Sequence, residues 1–181
     1  MKKKIFIVLL LSLVIFSVPL SLYAMEYSHT LEVKDMQFSW TIEGDQIHVK
    51  LSAKTTGWVS IGFDPETAMQ GANIIIGMVE KGKIEVADHY GDRKRGHRGD
   101  EDLGGKNNVI NPSGSEKGGV TTISFTFPLN TGDAYDKPIN PNGMSRVMLA
   151  YGSGRDSFRS SHPYRTVYEI NYSTGENKKI K

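Results

Sequence analysis

Beyond residue 24 the apolar and polar positions alternate with period two almost throughout. That is the signature of strands whose side chains go in turn to a core and to solvent. Phe38, Trp40 and Ile42 lead into Ile47, Val49, Leu51 and Ala53 across Glu43-Gly44-Asp45-Gln46, which predicts a β-hairpin. Val59, Ile61 and Phe63 alternate with Ser60 and Gly62 until Asp64-Pro65 stops the strand. Trp58 has the parity of Ser60 and Gly62, and the face bearing Ile61 and Phe63 is expected to point inward. Ile74-Ile75-Ile76 opens a further strand that turns at Glu80-Lys81-Gly82 and returns from Lys83 to Tyr90. Later strands are expected over Thr121 to Phe127, Val147 to Tyr151 and Thr166 to Tyr172. No segment after residue 24 carries ten residues of helical periodicity. Eight to ten short strands joined by Gly, Pro, Asn and Asp predict an all-β, antiparallel β-sandwich.

The first 24 residues read differently. Lys2, Lys3 and Lys4 precede an apolar run from Ile5 to Val18, and Pro19 then leads to small Ser21 and Ala24. This pattern predicts a signal peptide over residues 1–24, cut after Ala24, with a mature domain over 25–181. The competing reading is a retained anchor, since the run from Ile5 to Ala24 is about as long as a bilayer is thick. Export places the protein in a periplasm, outside the cell or on its surface. The formal charge is +2 for the whole chain and becomes −1 without the three lysines. A near-neutral body is a poor match for nucleic acid, which needs a field of one sign.

There is no cysteine among the 181 residues, which removes thiolate metal sites, iron–sulfur clusters and cysteine nucleophiles. Gly99 to Lys106 misplaces the lysine of a phosphate loop and lacks its hydroxyl, while Gly152-Ser153-Gly154 lacks the spacing of a nucleophile elbow. No catalytic turnover is therefore expected. Residues 92–102 carry four positive and four negative side chains and read as a self-neutralised loop. Their functional alternatives are a redox-docking loop or a calcium site on Asp100, Glu101 and Asp102. Of the five histidines, His29 is expected at a frayed start and His48 on an outward strand position, while His89 and His97 sit near one end of the sandwich. His162 precedes Pro163, which restricts its backbone to extended conformations. Met69 lies in the loop 64–73 and offers a soft thioether, a ligand for haem iron or copper(I), or else a plug beneath the loop.

Gly57-Trp58-Val59-Ser60-Ile61-Gly62-Phe63-Asp64-Pro65, Met69-Gln70-Gly71-Ala72-Asn73, Asp88-His89-Tyr90, Thr131-Gly132-Asp133 and Ala150-Tyr151-Gly152, with His162 downstream, resemble the DOMON domain. The resemblance spans roughly residues 30 to 172 and implies an immunoglobulin-like β-sandwich. In the cytochrome members of that family, b-type haem sits between a methionine and a histidine from two loops at one end of the sandwich. By position in the pattern these are Met69 and His162, the axial haem-iron ligands that the resemblance implies. Such a pair favours ferrous iron and electron transfer. With no flavin, copper-hydroxylase or transmembrane cytochrome segment in the chain, electrons would pass to a separate redox protein. The alternative is a haem-free module for a carbohydrate, a metal or another small ligand, with Tyr90, Tyr135, Phe158 and Tyr164 as candidate aromatics.

Overall fold

A computed structural model describes residues 25–181; the expected signal peptide lies outside the described residues. Among the described residues twelve strands run β1 (His29–Val33), β2 (Met36–Glu43), β3 (Gln46–Ala53), β4 (Val59–Phe63), β5 (Asn73–Glu80), β6 (Lys83–Arg93), β7 (Gly96–Gly99), β8 (Ile110–Lys117), β9 (Val120–Pro128), β10 (Met144–Tyr151), β11 (Tyr164–Asn171) and β12 (Asn177–Lys179). A 3-10 turn, Glu101–Leu103, follows β7. One sheet is ordered β1-β2-β3-β9-β8 and the other β12-β11-β10-β4-β5-β6-β7, with every pairing antiparallel. The expected β-sandwich is thus the fold.

The period-two pattern builds the core directly. Phe38, Trp40, Ile47, Val49 and Leu51 from one sheet meet Val59, Ile61, Phe63, Ile75, Val147 and Leu149 from the other, all fully buried. Trp40 lies 4.5 Å from Phe38, ring to ring, and its Nε1 donates to the Tyr172 carbonyl at 2.9 Å. Phe63 and Phe127 stack across the sheets at 6.4 Å. The Ile61 and Phe63 face does point inward.

Three expectations change. Strands β1, β7, β8 and β12 are present where the pattern showed none. β8 has seven exposed residues of eight, so the backbone ladder with β9 holds it and no apolar alternation marks it. His29 is not frayed: its Nε2 bonds the Ser173 carbonyl at 3.1 Å and its ring lies 5.3 Å from Trp40. β4, read as half-exposed, is buried at all five positions, so something also covers its outward face.

Candidate functional site

Register decides which side chains share that outward face. Ser60 pairs with Ala150 and Ile76, Gly62 with Met148 and Ile74, Ile76 with Ala87, and Ile74 with His89. Paired residues lie on one side of a sheet, so these positions form an outward patch around β4 and β5. Trp58, Ile76 and Met78 are buried there and pack with Ala87, Ala150 and Phe158. The cover is the loop joining β10 to β11, which bears both Phe158 and His162.

That loop is pinned at two points. Trp58 Nε1 donates to Ser160 Oγ at 2.8 Å, and Gly152 N donates to the Trp58 carbonyl at 2.8 Å. Gly152 has no alternative there, because a Cβ would come within 2.6 Å of the indole nitrogen. His162 sits edge-on to Trp58 with ring centroids 6.4 Å apart. Burial first, and then the Arg165 charge, hold its imidazole below the usual histidine range. A neutral imidazole on an apolar rim is the form that ligates a metal.

Met69 is presented with equal definition. Its carbonyl accepts from Ala72 N at 3.1 Å, and Gly71 N and Gly91 O close the loop onto β6 at 2.8 Å. Asp64 Oδ1 accepts from Arg146 N at 2.9 Å, and Lys137 Nζ bridges the Asp64 carbonyl and Glu66 Oε1 at 3.1 and 3.0 Å. A Cβ on Gly91 would lie 1.7 Å from the Met69 carbonyl oxygen, so the loop and β6 touch backbone to backbone. Met69 itself is half-buried.

The loops that bear the two candidate ligands are anchored at opposite ends of β4. His162 packs on Trp58, the residue before β4, whereas Met69 belongs to the loop after it. Five strand residues put those ends about 17 Å apart along the strand. Between them His89 faces outward, with its Nδ1 2.7 Å from His97 Nδ1 and its ring 5.7 Å from Phe158. Burial pushes His89 down to about 4, with the His97 charge adding to the effect, and burial lowers His97 as well. Taken singly along the chain, neither histidine signalled this pairing; the β6–β7 hairpin creates it. His48 stays apart on the other sheet, bonded to Thr126 Oγ1 at 2.8 Å.

The four aromatics considered for a carbohydrate form no common platform. Tyr90 packs on Tyr135 at 5.4 Å, Tyr164 stacks on Tyr151 at 5.5 Å, and Phe158 meets His89 on the outward face. Surface clefts of about 390 and 300 Å³ open at the β5–β6 turn and beside β1–β2, and neither Met69 nor His162 lines them.

Comparison with known proteins places this arrangement in context. The human DBH-like monooxygenase protein 1 is 32% identical over 112 residues, which cover 62% of this chain and 18% of that protein. The Drosophila melanogaster MOXD1 homolog 2 is 28% identical over 161 residues, covering 78% of this chain and 20% of that one. The chain thus spans about a fifth of the length of these curated relatives. Among solved structures, the cytochrome b domain of pyranose dehydrogenase from Coprinopsis cinerea superposes with a TM-score of 0.58 at 14% identity, covering 78% of both chains. The cytochrome domain of Myriococcum thermophilum cellobiose dehydrogenase does so with a TM-score of 0.51 at 7% identity, covering 74% of this chain and 73% of that one. At such identities the likeness is one of fold. The DOMON domain family matches residues 32–152, from β1 through the Gly152 that seats Trp58, and the chain belongs to that family.

Proposed function

We propose that this is an exported DOMON domain in which His162 and Met69 would hold b-type haem, and that it passes electrons to a separate redox protein. The observation that carries the reading is His162: a neutral, half-buried imidazole held against Trp58 at the rim of an apolar sheet face. The donor chemistry fits the group. Imidazole and thioether both suit haem iron, and Trp58, Ile76, Met78 and Phe158 supply an apolar surround. Bound haem would supply a one-electron couple, and a thioether among its ligands would favour the ferrous state. The protein's own part is to keep His162 unprotonated, to hold Met69 through the Gly91 contact, and to exclude water through the loop bearing Phe158.

Haem titration of the full chain tests the proposal. The expected result is stoichiometric uptake with sharp low-spin reduced bands and poor carbon monoxide binding. His162→Ala should abolish the low-spin form. Met69→Ala should retain some haem, lower the potential and admit exogenous ligands, and His48→Ala on the other sheet should leave the spectrum unchanged. No uptake by wild type, or an unaltered spectrum in His162→Ala, would leave the haem-free ligand-binding module as the better reading.

A further inference from the structure

On the opposite, inward side of β6 lies chemistry that the haem reading does not use. Asp88, Asp100 and Asp136 each bring a carboxylate oxygen within 4.8 Å of the other two. Asp88 stands on β6 opposite Ile75, Asp100 lies between β7 and the 3-10 turn, and Asp136 comes from the connection between β9 and β10. The backbone ties the first two together, since Asp100 N donates to the Asp88 carbonyl at 3.0 Å. Gly105 N then donates to the Asp100 carbonyl at 2.8 Å and folds the 3-10 turn around the carboxylate.

Asp100 is 0% exposed, and neither of its carboxylate oxygens has a hydrogen-bond partner. Asp88 Oδ1 and Asp136 Oδ1 are also buried and unpartnered; their second oxygens accept from Asn108 N at 3.0 Å and Thr131 Oγ1 at 2.6 Å. Among the described residues the ion pairs lie elsewhere, and none includes these three aspartates. Asn73 adds a neutral signal of the same kind. It is 0% exposed with both amide atoms unpartnered, one pair along the same inward face from Asp88.

Converging carboxylates without a cation must either hold protons or bind a metal. Burial pushes Asp88 up to about 8, Asp100 to about 7 and Asp136 to about 6, with the neighbouring acids, Asp133 among them, adding to each rise. Protons shared among the carboxyls would cancel charge pair by pair, whereas a divalent cation would meet all three carboxylates at once and give the unpartnered Asp100 oxygens a partner. We propose that Asp88, Asp100 and Asp136 form a binding site for a divalent cation of the calcium class. An all-oxygen donor set selects a hard ion over zinc or copper. Ligands about 2.3–2.6 Å from calcium lie up to about 5 Å apart, which three carboxylate oxygens within 4.8 Å of one another satisfy. The calcium reading made along the chain keeps Asp100 but exchanges Glu101, which is exposed, and Asp102 for residues distant in sequence. The ion would tie β6, β7 and the β9–β10 connection together, and the proposal stands independently of haem.

The test uses the full chain, stripped with chelator at neutral pH and titrated with calcium chloride. Calorimetry should show one calcium per chain, and the melting temperature should rise by about 5–10 °C at a concentration about 100-fold above the dissociation constant. Asp100→Asn should melt higher than stripped wild type, because one buried like charge is gone, and should lose the calcium-dependent rise. Glu101→Gln should respond as wild type does. If Asp100→Asn fails to fold by circular dichroism, Asp136→Asn takes its place. If neither folds, the wild-type titration decides alone. Absence of heat and of any melting shift up to about 10 mM calcium, or an undiminished response in Asp100→Asn, would overturn the site.

Discussion

The half-buried histidine pair shows how one side chain couples folding to pH. His97 is held neutral by burial, opposed by the Asp92 charge and assisted by Arg93, with His89 against it. Its folded pKa lies below the unfolded value of about 6.5, so the unfolded chain takes up the proton first. Stability is therefore full above that value and falls as the pH drops below it. Denaturant unfolding of wild type and His97→Gln at pH 7 and pH 5 should show wild type losing more stability over that interval; equal losses would mean that His97 is solvated. Phe63 makes the complementary apolar case. Fully buried between Phe127 and Tyr172, it should cost ~3–5 kcal/mol on replacement by alanine, through lost transfer energy and the cavity left behind. A cost under about 1 kcal/mol would contradict its place in the core.

At the scale of the element, glycines set how closely loops approach strands. Gly91→Ala drives a Cβ into the Met69 carbonyl, and neither partner is a flexible side chain. The loop 64–72 must move off β6, at a cost of about 1–3 kcal/mol by overpacking. In haem-loaded protein this variant should reproduce the Met69→Ala spectrum. A wild-type spectrum would separate Met69 from the iron. Gly152→Ala acts at the other end of β4 by displacing the Trp58 indole, and should resemble His162→Ala in haem retention while leaving the Met69 loop in place. Together the two variants ask whether loops at opposite ends of one strand serve one cofactor.

For the whole molecule, export predicts that the recovered protein begins at Met25 or within a residue or two. Intact-mass measurement checks it, and full-length chain confined to the membrane fraction would favour the retained anchor. Among the described residues no helix is long and apolar enough to cross a membrane. The sequence by itself determined the sandwich, the β2–β3 and β5–β6 hairpins and the inward face of β4. Period-two alternation and turn residues are local properties, and the core merely collects them. Strand β8 escaped because backbone hydrogen bonds to a neighbour leave no mark on side-chain polarity. Met69 and His162 were readable as ligand types in loops, but the anchoring of those loops at opposite ends of β4 depended on where the β10–β11 loop folds back, which Gly152 and Trp58 settle by contact. The histidine pair joins residues eight apart around a hairpin, and the three aspartates join positions up to 48 apart through a strand, a turn and a distant connection. Only tertiary structure decided these, because convergence and desolvation of polar groups are set by which elements pack together and not by the order of residues along any one of them.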